Sequence, residues 1–126
     1  MLSDKQTRWL GDVLDNIERI ERFTLGLDFA AFVADERATF AVLHALLIIS
    51  EAARRLGAEA ETLVPGQPWR AIRGLGNVLR HEYGGVDRNA IWRIVAEDLS
   101  ALKQAVAQTL AASRSSDGTR PNDTDR

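Results

Sequence analysis

Apolar residues recur every three or four positions through most of this chain, and nowhere do they alternate over the length of a strand. That periodicity allows little besides helices. Trp9, Val13, Ile17 and Ile20 form one stripe, with Leu10 and Leu14 beside it. "SDKQ" is a capping box at its start: Ser3 is the N-cap and Gln6 reaches back. This helix ends near "TLGLD". A helical turn after Asp28 carries Phe29 and Phe32. Asp35 caps a second long helix that stops at Gly57, with Phe40, Leu43, Leu47 and Ile48 as core candidates. "VPGQPW" is a connection, and Pro68 suits the first turn of a short helix from Trp69 to His81. "EYGGVD" breaks that helix. Asp87 caps the last long one, where Ile91, Val95, Leu99, Leu102 and Val106 repeat at helical spacing. The expected fold is an all-α antiparallel helical bundle of about four main helices over residues 1–112. The segment 113–126 has no aliphatic or aromatic side chain and is expected to be a disordered polar tail.

A chain of 126 residues with 45% hydrophobic side chains supplies one domain with one core. It has no cysteine, which excludes disulfides, thiolate metal sites and a cysteine nucleophile. The longest apolar run, Phe40 to Ile49, is interrupted by His44 and is far shorter than the roughly 20 residues of a membrane span. No signal-like apolar segment opens the chain. A soluble cytoplasmic protein is expected, with no membrane association.

Charge singles out one region. Residues 69–93 hold Arg70, Arg73, Arg80, Arg88 and Arg93 against Glu82 and Asp87, an excess of positive charge inside a chain of net −2. A phosphate-bearing ligand needs such a patch, although arginines at helix ends also serve simply to face water. On one continuous helix, Arg73, Asn77 and His81 share a face, because four-residue steps drift little at about 100° per residue. Arg80 flanks it. Gly74 and Gly76 weaken a helix, so they predict close approach of a neighbouring element or ligand. His81 is the candidate general acid or base, since imidazole titrates near neutrality. His44 lies in an apolar stretch and is expected in the core or an interface. Tyr83, the only tyrosine, follows His81 by two residues. A lone His–x–Tyr pair is more often structural than functional. No histidine pair has metal-ligand spacing, and "GLGNVL" follows no strand, so neither a metal nor a dinucleotide cofactor is expected.

Taken together, "IISEAARRL", "PWRAIRGLGNVLRHEYGGVD" and "IWRIVAEDLSALKQAV" resemble the HepT-like group of the HEPN superfamily over about Leu10 to Leu110. The resemblance implies a homodimer and a metal-independent ribonuclease. It also implies a toxin partnered by a minimal nucleotidyltransferase antitoxin (MntA-like) in a type VII system. The family motif is an arginine followed by four to six residues and a histidine. A tyrosine two residues after the histidine receives AMP from the antitoxin. On this match His81 is the acid–base histidine acting on the RNA 2′-hydroxyl, and Tyr83 is the modified residue. Asn77 is the polar residue that follows the arginine position. Gly76 occupies the arginine position itself. Arg80 or Arg73 is left to supply the guanidinium, and Arg80, adjacent to the histidine, is preferred. The competing reading is a dimeric binding module, catalytically weak or inactive, that presents itself to the nucleotidyltransferase. A plain helical scaffold would leave the charge excess and the His81–Tyr83 pair unexplained.

Overall fold

The computed structural model describes residues 1–79 and 86–118. Among these, the regular elements are eight helices: α1 (Asp4–Thr24), α2 (Phe29–Ala34), α3 (Glu36–Leu56), α4 (Glu59–Leu63), α5 (Trp69–Arg73), α6 (Leu75–Leu79), α7 (Arg88–Glu97) and α8 (Leu99–Gly118). The fold is all-α, as the periodicity dictates. The helix starts follow the cap residues of the sequence. The Ser3 hydroxyl accepts from the Gln6 N–H at 3.0 Å, and the Ser3 N–H donates to the Gln6 side chain at 2.9 Å. Asp28, Asp35 and Asp87 each accept the N–H three residues on, at 2.8–3.0 Å.

The frame consists of α1, α3 and α8. Arg8 and Asp12 share a groove with Glu51 and Arg55, whereas Arg19 and Phe23 share one with Ala41 and His44, so α1 and α3 run antiparallel. Lys103 pairs with Glu21 at 2.9 Å, and Leu2 lies beside Thr109, so α8 also opposes α1. Leu10, Val13, Ile17 and Ile20 of α1 are buried, as their stripe requires, while Trp9 and Leu14 pack at its margin. Each such aliphatic side chain contributes about 1.5–3 kcal/mol on burial.

The buried face of α3 is not the expected one. Val42, Ala45, Leu46, Ile49, Ala52, Ala53 and Leu56 form the core, whereas Phe40 is 51% exposed and Leu43, Leu47 and Ile48 are half-buried. The segment "AVLHALLII" is apolar nearly all round, so hydrophobicity alone does not set its phase. What packs there decides, and the buried face carries Ala45, Ala52 and Ala53, whose small side chains permit close approach of neighbouring helices. His44 is exposed on this outer face and lies outside the core.

Three boundaries also differ. The stretch from Trp69 is two short helices joined at Gly74, whose N–H bonds back to the Arg70 and Ala71 carbonyls at 3.2 and 3.1 Å and closes the first. The last long helix divides at Asp98: α7 closes there with the Asp98 N–H on Ile94, and α8 opens with a long 3.5 Å bond from Leu102 to the Asp98 carbonyl. Finally, α8 continues to Gly118, through six residues assigned by sequence to the polar tail. Extending a formed helix fixes one residue per added hydrogen bond and needs no apolar partner. Residues 119–126 lie outside the described ones. No described helix is long and apolar enough to cross a membrane.

Candidate functional site

Helices α5 and α6 are held by a small set of buried anchors. Trp69 is 1% exposed, and its indole N–H donates to the Val64 carbonyl at 2.7 Å, satisfying the one polar atom of a core aromatic. Ile72, Leu75 and Leu79 are buried on the following turns. At the chain bend, the Arg73 carbonyl accepts from two donors of α3: the Ser50 hydroxyl at 3.1 Å and the Arg54 Nε at 3.0 Å. Ser50 is itself buried, so its hydroxyl requires this partner. The Asp87 N–H bonds to the Leu79 carbonyl at 3.3 Å. This tie joins the two ends of the segment that carries Arg80, His81 and Tyr83. Those three candidates lie outside the described residues.

Arg73 and Asn77 are described, and the structure does not align them on one helical face. The bend at Gly74 separates them. The Arg73 guanidinium is committed to Glu61 through a forked pair, Nη2–Oε2 at 2.6 Å and Nη1–Oε1 at 3.1 Å, and Nη1 also donates to the Gly57 carbonyl at 3.1 Å. Hydrogen bonding from Arg73 lowers the Glu61 pKa, and the same bond raises that of Arg73. Arg73 therefore fastens α5 to the α3–α4 corner. Asn77 is exposed at the middle of α6. The charge excess is also partly used up internally, since Arg88 donates to the Val33 carbonyl of α2 at 2.7 Å. Arg70 and Arg93 are exposed.

Gly76 is buried, and a Cβ placed there would sit 3.8 Å from Leu47 Cδ2 and 3.9 Å from Arg54 Nη2. Both distances are ordinary van der Waals separations, so packing within the chain does not require a glycine. The close approach expected at Gly74 is likewise only to carbonyls of its own preceding turn. Gly76→Ala should raise the thermal midpoint by a few degrees, since alanine in a helix interior gains roughly 0.5–1 kcal/mol over glycine. Circular dichroism melting checks this, and a lower midpoint would mean that the site has no room. Arg54, by contrast, is a residue of this region that its sequence pattern does not single out. Only its place in "SEAARRL", one helical turn after Ser50, hints at a shared partner.

The profile of the ribonuclease HepT-like family matches residues 13–109. The "Probable ribonuclease HepT" of Thermococcus cleftensis is 39% identical over 95 residues, covering 75% of this chain and 86% of the relative. The "Putative RNase MJ1380" of Methanocaldococcus jannaschii is 35% identical over 98 residues, covering 78% and 90%. The "Putative RNase TTE0752" of Caldanaerobacter subterraneus subsp. tengcongensis is 31% identical over 102 residues, covering 81% and 91%. No solved structure matches the chain. The all-α fold and the family match place the chain in the class of HEPN proteins. The protein belongs to the ribonuclease HepT-like family within it.

Proposed function

We propose that this protein is an endoribonuclease toxin of the HepT type, acting as a homodimer and neutralised by AMP addition to Tyr83. The observation that carries the reading is the family match over residues 13–109, which spans the whole "RGLGNVLRHEYGGVD" segment. RNA supplies its own nucleophile. His81 takes the 2′-hydroxyl proton as the 2′-oxygen forms a bond to phosphorus. The bond from phosphorus to the 5′-oxygen then breaks, and that oxygen leaves with a proton. A guanidinium offsets the charge that builds on the phosphoryl oxygens. Each chain brings one copy of these groups, and the dimer places two copies in a shared cleft.

The outer face of α3 supports dimerisation on the α6 side. Phe40, Leu43, His44 and Leu47 lie along one stripe, Phe40 is half exposed, and Leu47 reaches Gly76. In a two-fold interface each residue counts twice. Replacing Phe40 by a charge should therefore weaken association about 100-fold or more. The experiment is RNA cleavage by the purified chain in EDTA, with light scattering alongside. The parent should be a dimer that cleaves. Phe40→Glu should be a folded monomer that does not. A monomeric parent, or a fully active monomeric variant, would remove the shared cleft.

A second reading rests on Gly76, which leaves the family's arginine position without a side chain. On that reading the dimer is a binding module modified by the nucleotidyltransferase, and the parent fails to cleave RNA while still accepting AMP.

A further inference from the structure

We infer that Arg54, reaching across from α3, supplies the phosphate-binding guanidinium that position 76 lacks; the inference rests on the ribonuclease reading above. Two observations converge on it. The first is place. Arg54 Nη2 lies 3.9 Å from where a Cβ of residue 76 would stand, so its guanidinium occupies the ground from which an arginine at 76 would start. The second is availability. Arg54 is exposed and uses its Nε on the Arg73 carbonyl at 3.0 Å, which fixes the plane of the group. Among the described residues it has no carboxylate partner, whereas its neighbour Arg55 pairs with Glu51 at 3.3 Å and Arg73 with Glu61 at 2.6 Å.

A guanidinium held by one N–H, with no other hydrogen-bond partner among the described residues, matches a phosphodiester, whose two free oxygens accept a forked pair of hydrogen bonds. Arg54 also stands near α6, whose exposed Asn77 is the other described member of the family motif. An arginine at 76 would bring a second cation against the one already there. Glycine at 76 and Arg54 are therefore two halves of one arrangement: with no cation at 76, the guanidinium that comes from α3 has no like charge against it. Arg73 does not fill this role, because Glu61 neutralises it.

The test uses the full-length chain carrying His81→Ala, so that RNA is bound and not cut, with a fluorescein-labelled single-stranded RNA followed by anisotropy over a range of salt. Arg54→Gln should lower the affinity about tenfold and reduce the salt slope by about 0.7 for each phosphate that is no longer neutralised. Arg54→Lys should keep the slope but recover only part of the affinity. Gly76→Arg added to Arg54→Gln should restore both. In the chain with His81 intact, Arg54→Gln should slow cleavage, and Gly76→Arg should recover it. Melting curves accompany each variant; Ser50 still serves the Arg73 carbonyl when Arg54 is replaced. An unchanged affinity and slope in Arg54→Gln would overturn the inference alone. So would a loss of affinity with an unchanged slope or a lowered melting temperature, which would assign Arg54 to scaffolding. A parent that binds no RNA at all would bring down the ribonuclease reading, and this inference with it.

Discussion

His81→Ala should abolish RNA cleavage, with a fall of at least about a hundredfold, because a positioned acid or base contributes roughly 10²–10⁴-fold to a proton-transfer step. The effect is large because the chain's one other imidazole lies on α3, outside the segment that carries His81. His44, the only other histidine, is on the outer face of α3 beside Arg19 and Phe23, in one of the grooves between α1 and α3. In a dimer the substitution removes both imidazoles from the shared cleft. Helical content and the melting midpoint of the variant, measured by circular dichroism, separate lost chemistry from lost structure. Expression of the parent should arrest growth, and expression of the variant should not. Cleavage at the parental rate by a well-folded alanine variant would end the acid–base role of this residue.

The sequence revealed the helices more fully than the faces they present. Helix starts are local events: Ser3, Asp28, Asp35 and Asp87 each satisfy an N–H three residues away, and three-residue chemistry is visible in a linear reading. The stripe on α1 is legible for a similar reason, since its opposite side is charged. On α3 both sides are apolar, and the choice between them depends on what packs there, which is tertiary information. Phe40 illustrates the cost: a large aromatic reads as core, yet it remains half exposed outside it. The site divides in the same way. "GLGNVLRHEY" marks the region, and the family match includes it. The partners of its arginines come from distant turns. Glu61 captures Arg73 from α4, and Arg54 arrives beside Gly76 from α3. Spacing along a single helix assigned Arg73 to the site. The bend at Gly74 puts it on a separate helix from Asn77, and a carboxylate twelve residues upstream pairs with it.

The switch should depend wholly on one oxygen. When the purified chain is incubated with its cognate nucleotidyltransferase, ATP and magnesium, one AMP should be added per chain, and Tyr83→Phe should take none. Tyr83 is the chain's only tyrosine, so the substitution removes the only phenolic acceptor while keeping an aromatic ring of nearly the same volume. The adduct brings a bulky nucleotide and a negative phosphate two residues from His81, in a stretch that also carries Arg80. The charge should repel RNA and the bulk should displace it, and any guanidinium that would meet an RNA phosphate should be offered an AMP phosphate instead. Modified parent protein should therefore lose RNA binding as well as cleavage. Tyr83→Phe should cleave RNA normally and arrest growth even when the nucleotidyltransferase is expressed beside it. Intact-mass spectra of both proteins, taken before and after the reaction, read the outcome directly. An AMP adduct on Tyr83→Phe would move the switch to another residue, and an unmodified parent would show that this tyrosine is not the acceptor.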